Sequence, residues 1–561
     1  APEDAPAFTR QIAPFAVQDS SGAPLAHPFL GGFNVPRPQF VDIDADGDPD
    51  LFVQERTDQV IFFEYTGSAN SPALTWRTDQ FRDLAVGEWF RFADMDQDGD
   101  LDLLAEQPFS HIRYYRNDGT PQAPAFTLAA DTLRDVTGAP LFSDRQNIPN
   151  VTDVDCNGQL DLFIGRLDGT VMRYEVAGYT DADVPRFELV TDRFEGIEII
   201  GQVGTMRHGA NTLTFADIDQ DGDQDLFWGD YFESSLLLIE NTGGACSQPV
   251  LRGEPVPYPP GDPVSTSGYN APAFADWNQD GRLDLFVGVL GGAYNANTTL
   301  ASNFHHYERG ADGFSRQTER FLDAIDIGNE SIPAVGDLDG DGTLDLLLAN
   351  KIDPDATQTS RVYRFTNRGT ASAPSFQMDG RLDLPDAYHY APALGDLTGN
   401  GAADLLLGTW KGRVAYYRNG GDGTFERVDD ALVELARGSN STPALADIDD
   451  DGDLDLFVGA SDGSLTFYRN TGSAQDPAFT REPGVAANVE VDSRSAPALA
   501  DVDGDGDLDL LVGSKGNSVA FYRNTGSAQA PAFEVVDAPS LNAPPLAAPA
   551  IADVDGDGLA E

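Results

Sequence analysis

Apolar and polar positions along the chain alternate in short runs separated by turn residues, and one stretch shows the plan clearly. Ala496 to Val502 reads as a first strand, and Leu508 to Gly513 as an apolar second strand. Ser518 to Arg523 alternates as a third and ends in the turn Asn524-Thr525-Gly526, after which Pro531 to Val536 forms a fourth. Turns containing Asn, Asp and Gly between β-rich runs are hairpin signals, and no amphipathic stretch long enough for a useful helix interrupts them.

Between the first and second strands lies Asp-x-Asp-x-Asp-Gly-x-x-Asp. The pattern recurs from Asp42, Asp94, Asp153, Asp217, Asp276, Asp337, Asp396, Asp447, Asp501 and Asp553, at spacings of 51 to 64 residues. Such a period suits the blade of a β-propeller and is too long for a leucine-rich or hexapeptide solenoid; a parallel β-roll would need far shorter repeats. Four antiparallel strands per unit, repeated radially, also limit exposed sheet edges. The expected fold is therefore all-β: one propeller array over residues 1–561 with nine complete units and a partial tenth. A ring of seven or eight blades with extra repeats is the alternative.

The acidic loops point to metal. Carboxylates at positions 1, 3 and 5 converge, the glycine at 6 makes the sharp turn, position 7 offers its carbonyl, and position 9 completes a shell of hard oxygens suited to Ca²⁺. The first loop supplies Asp42, Asp44, Asp46 and Asp50 around Asp48, and the second Asp94, Asp96, Asp98 and Asp102 around Asp100. The fourth (Asp217, Asp219, Asp221, Asp225, with Asp223 at 7) and sixth (Asp337, Asp339, Asp341, Asp345, with Thr343) match. So do the eighth (Asp447, Asp449, Asp451, Asp455, with Asp453) and ninth (Asp501, Asp503, Asp505, Asp509, with Asp507). The third keeps Asp153, Asp155 and Asp161 but has Asn157 at 5 and Gln159 at 7; the fifth keeps Asp276, Asp280 and Asp284, with Asn278 at 3 and Arg282 at 7. The seventh retains only Asp396, Asn400 and Asp404 and is expected to bind most weakly, while the tenth has Asp553, Asp555, Asp557 and Glu561. An EF-hand would place a bidentate Glu at position 12, where the first loop has Val53 inside a strand. A bare Asp-Gly turn does not need three further carboxylates, which repel one another without a cation between them.

These repeats resemble the FG-GAP/VCBS family, whose calcium-bearing blades occur in integrin α-subunit propellers and many secreted bacterial proteins. The resemblance covers essentially the whole chain. It implies the propeller and up to ten calcium sites; for function it implies only a range, because such blades serve adhesion, carbohydrate binding and some polysaccharide lyases.

Charge sharpens this picture. The chain of 561 residues has 92 acids against 35 Lys and Arg, a net charge of −57. That excludes nucleic acid and an anionic membrane as direct partners, since both require a basic footprint. No apolar run is long enough to insert as a spanning helix. Positions 1, 3, 5 and 9 of the ten loops hold 36 of the 92 acids, so much of the imbalance is a row of cation sites. Extracellular modules bind Ca²⁺ at about 10⁻⁴ to 10⁻³ M, which places the protein outside the cytoplasm: secreted, periplasmic or at a cell surface.

Cys156 lies in a first-to-second-strand loop and Cys246 follows the third strand of the next unit, so both connections lie on one face; a disulfide and two unbonded cysteines are both open. Ala5 to Arg10 resembles the outer strand Asp476 to Arg481, so it is expected to close the ring against the last blade. The last unit stops after its first strand and loop, which implies either continuation beyond Glu561 or assembly with another molecule through open ends.

Long insertions (289–303, 349–360, 194–213 and 253–270) fall on the face opposite the acidic loops. There a glycan or an extracellular protein is the expected partner. The candidate ligand residues on and beside them are Arg207, His208, Tyr258, Tyr269, Tyr294, His305, His306, Tyr388, His389, Tyr390 and Trp410. The alternative functions are an extracellular polysaccharide-active, lyase-like enzyme, for which no spacing of these residues is diagnostic, and a structural subunit of an extracellular assembly.

Overall fold

In the computed structural model every residue is described except 1–7, 200–210, 295–300, 357, 437, 517, 528–529, 537–540, 544 and 559. The described residues form nine antiparallel sheets whose four main strands follow chain order. In sheet one these are Arg37–Val41, Asp50–Gln54, Ile61–Tyr65 and Leu74–Thr78. The innermost strands of sheets two to five are Phe90–Ala93, Asn150–Thr152, Asn211–Ala216 and Asn270–Ala275. Those of sheets six to nine are Ile332–Gly336, Ala391–Gly395, Thr442–Ala446 and Ala496–Ala500. In the ninth sheet the expected second and third strands are found at Asp509–Gly513 and Ser518–Asn524, and the outer one at Phe533–Val535.

The sequence pattern explains the layering. Second strands such as Asp161–Gly165 are buried at every residue because both faces lie under neighbouring sheets. Third strands such as Ile61–Tyr65 alternate between buried and half-buried, as one face approaches the rim. The apolar core therefore lies between sheets: Phe52, Phe81, Phe90, Phe92 and Leu103 form one such cluster between sheets one and two.

The sheets group into two compact units: Phe33–Leu322, and Ala1–Gly32 with Asp323–Glu561. In the first unit, contact passes from sheet to sheet and returns to its start. Gln39 exchanges hydrogen bonds with the backbone of Phe92, and Arg91 Nε donates to the carbonyl of Pro149 at 2.9 Å. The Ile148 N–H donates to the carbonyl of Asn211, and Thr214 Oγ1 donates to that of Pro272. Finally Phe286 of sheet five packs on Phe40 of sheet one, with ring centroids 4.3 Å apart. In the other unit the inner strands of sheets six to nine meet in order. Residues after sheet nine bring Ala552 and Val554 against Phe365 and Phe376 of sheet six.

The chain start departs from expectation. Phe8 to Arg10 form no strand, and Ala5 to Ala7 lie outside the described residues. Instead Ala16–Gln18 adds a fifth, parallel strand to Ser375–Arg381 at the outer edge of sheet six. The similarity to Asp476–Arg481 is local, and the available outer edge decides the pairing.

The recurrent glycine closing the second strand has a packing reason. At Gly229, Gly288, Gly408, Gly459 and Gly513 a Cβ would stand 1.7 to 2.0 Å from a backbone carbonyl oxygen, which in the first four cases lies just before or at the start of an inner strand. Those carbonyls belong to Asn270, Pro36, Ser441, Ser495 and Ala547. We expect Gly459→Ala to push two sheets apart and cost about 1–3 kcal/mol, the usual range for overpacking. Gly484→Ala, where no atom lies within 4 Å, should leave the melting temperature nearly unchanged. Thermal melts of the two variants check this.

Candidate metal centres

Each acidic loop is built in two tiers. Position 1 holds the turn: Asp42 accepts the N–H groups of Asp46 and Gly47 at 3.1 and 3.0 Å, and Asp447 accepts those of Asp451 and Gly452 at 3.1 and 2.9 Å. Position 9 holds the strands together. Asp50, Asp102, Asp345, Asp404, Asp455 and Asp509 are buried, and each accepts a backbone N–H from the third strand, donated by Tyr65, Asn117, Asn367, Asn419, Asn470 and Asn524 at 2.6–2.8 Å. In the last loop Glu561 accepts the N–H of Val554 at 2.8 Å, the within-loop bond that Asp102, Asp345 and Asp404 accept from Met95, Leu338 and Leu397.

Oxygens remain that accept nothing. In the first loop these are one oxygen each of Asp44, Asp48 and Asp50; in the fourth, of Asp217, Asp223 and Asp225. Asp96, Asp100, Asp284, Asp339, Asp453 and Asp455 each present another. At position 7, where a carbonyl ligand was expected, the side chains of Asp48, Asp100, Asp223 and Asp453 thus also turn inward. Carboxylate oxygens from Asp42, Asp44 and Asp46 lie within 4.8 Å of one another, and so do those of Asp94, Asp96 and Asp98, of Asp217, Asp219 and Asp221, and of Asp337, Asp339 and Asp345. Buried anionic oxygens at this spacing, without donors, fit a hard divalent cation.

Burial pushes the position-9 carboxyls up, to about 7 for Asp50, Asp102, Asp225, Asp284 and Asp455, and to about 6 for Asp161 and Asp345. Neighbouring carboxylates add to the rise.

Loop three is different. Asp153, Asp155 and Asp161 also converge. However, a guanidinium stands among them: Arg173, 5% exposed, donates to Asp161 at 2.7 Å and to Asp155 at 2.8 Å. Arg173 pairs in register with Phe163, at a ladder position filled in other sheets by Phe62, Tyr114, Tyr416, Phe467 or Phe521. Gln248 of sheet four's outer connection donates to the same Asp155 oxygen at 2.9 Å, and Asn157 donates to Glu175. Cys156 in this loop is disulfide-bonded to Cys246, with Cα atoms 4.9 Å apart. The loop thus contains its own cation and a covalent tie.

Partial versions occur elsewhere. Arg282 pairs with Asp280 at 2.6 Å in loop five, Arg469 pairs with Asp449 in loop eight, and Arg523 lies 2.8 Å from Asp503 in loop nine. In loop seven Asp396 is saturated by the N–H groups of Thr398, Gly399, Asn400 and Gly401, while Asn400 turns away to donate to the carbonyl of Asn419.

The opposite face does not gather the expected residues. Arg207 and His208 lie outside the described residues. Tyr258 is buried in an outer strand, Val256–Tyr258. His305 and His306 are buried in Phe304–Gly310, and His306 stacks on Phe286 at 4.6 Å; burial pushes His306 down to about 4. Tyr390 donates its hydroxyl to the carbonyl of Pro385, and His389 is buried 4.0 Å from Glu330, with its pKa also pushed down to about 4 by burial. Tyr388 meets the exposed Trp410 edge-on at 5.7 Å, and Tyr294 is exposed. Tyr269 alone of the set lines a cavity of about 660 Å³, with Arg37, Glu88, Arg145, Gln146, Tyr231 and Phe232. Those partners sit in unrelated local contexts, and Arg173 in an ordinary alternating strand, so no motif announces them.

Two outcomes follow. In the cation-free protein the folded state keeps the protons of Asp50, Asp102, Asp225, Asp284 and Asp455 up to about pH 7, whereas unfolded carboxyls lose theirs near 4, so this contribution to stability falls as pH rises between those values. Buried His305, His306 and His389 act in the opposite sense below about 6.5, so the cation-dependent part is the informative readout. The rise in melting temperature on adding millimolar Ca²⁺ should be larger at pH 7.5 than at pH 5.5. Separately, Arg173→Leu should melt lower in EDTA than the parent and recover in Ca²⁺, with bound metal, counted by elemental analysis, increased by one ion per chain.

Comparison with known proteins agrees with this architecture. The FG-GAP-like repeat model matches residues 42–105, 217–287, 337–407, 396–458, 447–512 and 501–561, each stretch beginning at position 1 of an acidic loop. Loop three falls outside the matched stretches. Integrin alpha-4 of Xenopus laevis is 28% identical over 180 residues, 29% of this chain and 17% of the relative, so the chain spans about a sixth of that protein. With the matched stretches covering more than half of its length, the chain belongs to the FG-GAP-like repeat family.

Proposed function

We propose that this chain is an extracellular, calcium-stabilised β-propeller module that binds a glycan or protein ligand on the face opposite its acidic loops. The observation that carries the reading is the set of buried carboxylate oxygens without donors in loops one to six and eight, loop three contributing Asp155 Oδ1. Such loops are electrostatically costly without a divalent cation. Millimolar sites fill only where calcium is abundant, outside the cytoplasm. The Cys156–Cys246 disulfide supports the same setting, and so does the similarity to an integrin alpha chain.

Calcium here acts on folding. A ligand at 100-fold excess over its dissociation constant adds about 2.7 kcal/mol per site, so several sites together govern whether the sheets hold. Function then belongs to the loops that the sheets support. Asp102→Asn, which removes one buried charge while keeping its shape, should lower calcium affinity in loop two and leave a folded protein in excess Ca²⁺. The decisive test is a glycan array and a panel of extracellular-matrix proteins, each probed with calcium-loaded protein and again in EDTA. Binding that needs calcium is expected; an unchanged melting curve in EDTA, or silence of both panels, would sink the proposal.

A further inference from the structure

The cavity of about 660 Å³ in the Phe33–Leu322 unit is lined from all five of its sheets. Arg37 opens the inner strand of sheet one; Glu88 precedes that of sheet two, and Arg145 and Gln146 precede that of sheet three. Tyr231 and Phe232 follow the second strand of sheet four, and Tyr269 precedes the inner strand of sheet five. All these positions lie at the strand ends away from the acidic loops.

Its chemistry differs from the chain as a whole. In a molecule of net charge −57, two guanidinium groups here meet on one carboxylate, with Glu55 also near Arg37 and with Glu106 and Asp144 near Arg145. Arg145 reaches Glu88 Oε1 at 2.7 Å and Arg37 reaches Glu88 Oε2 at 3.5 Å, while Thr57 also donates to Glu88. Each guanidinium has five N–H donors, so both keep capacity for a second carboxylate in the bidentate geometry arginine favours. Beside them stands an aromatic corner: Tyr231 meets Phe232 edge-on at 4.9 Å and Tyr269 at 6.5 Å.

The rim backbone is already engaged. The carbonyl of Tyr231 accepts the N–H of Ala293, that of Tyr269 accepts the N–H of Leu290, and that of Asp230 accepts the N–H of Tyr269. An entering peptide would find these groups occupied and could not add as a strand. Recognition falls to side chains, which suits a ligand with hydroxyls, a flat apolar face and a carboxylate.

The corresponding end of the other unit has different residues. Glu330, His389, Asn440 and Arg494 occupy the position that Tyr269 occupies, three residues before the inner-strand proline, and all have φ of 54–61°. There Glu330 is likewise shared by two cations, Lys351 and Arg494, but only one of them is a guanidinium.

We infer that the Arg37–Arg145–Tyr231 cavity binds a uronic-acid-bearing oligosaccharide, with its carboxylate on the two arginines and a pyranose face against Tyr231. This rests on the reading that ligands are held opposite the acidic loops, and names the ligand class for one site on that face.

Calorimetry on the calcium-loaded full chain tests it, with trimers of galacturonate, mannuronate and guluronate, a methyl-esterified trigalacturonate, and an Asp-rich hexapeptide. At least one uronate trimer should bind, with affinity at least tenfold above its neutral ester and above the peptide. Arg145→Gln, at a side chain 60% exposed, should weaken that binding tenfold or more without altering the melting curve in Ca²⁺. Tyr231→Ala should weaken neutral and acidic trimers alike. No binding by any uronate, equal binding of the ester, tighter binding of the peptide, or indifference to Arg145→Gln would each overturn the assignment. If other glycans bind the parent and Arg145→Gln alike, the cavity assignment fails while the binding-module reading stands.

Discussion

Neutralising clustered, half-buried carboxylates is the constraint on which this architecture depends, because most hairpins between a first and a second strand place three or more acids within a few ångströms. The position-9 aspartate illustrates the coupling. It lies between the second and third strands, accepts a third-strand N–H, and turns its other oxygen towards the loop. A cation at the loop and the register of the sheet are therefore one equilibrium: whatever compensates the charge also stabilises the hairpin.

The loops meet that constraint in different ways. Loops one and four leave several oxygens without donors, an arrangement that fits an external divalent ion. Loop seven has shed carboxylates and satisfies Asp396 with four backbone N–H groups. Loop three has recruited the buried Arg173 and a disulfide. The loop that carries its own cation is also the one outside the stretches matched by the repeat family, which fits a site released from the usual ligand set. A guanidinium, unlike a bound ion, is part of the chain and cannot be chelated away.

Packing between sheets imposes the second requirement. In sheets four, five, seven, eight and nine the glycine near the end of the apolar second strand leaves room for a backbone carbonyl of the segment packed beside it, so that glycine records a contact made more than thirty residues away. At Gly288 that contact is with Pro36, across nearly the whole Phe33–Leu322 unit. The same residue type in the same motif thus serves both neighbours in sequence and the return from sheet five to sheet one.

Local chemistry was readable directly. The strand order and the acidic hairpins follow from interactions spanning a dozen or so residues, and periodicity exposes those. Three-dimensional placement decided the rest. Alternation marks Arg173 only as one position of a third strand; that its guanidinium points among Asp155 and Asp161 depends on which face the sheet buries. The aromatics and histidines expected at a ligand site were mostly drawn into the packing between sheets, since burial of large rings outweighs their surface chemistry. Arg37, Glu88, Arg145 and Tyr231 carry no shared motif and meet only because five sheets converge. The linear chain determines the units and their acidic hairpins through short-range turn and pairing energetics, whereas the grouping into two sets of sheets and the residues sharing a cavity arise from long-range packing, which a repeat so nearly uniform leaves open.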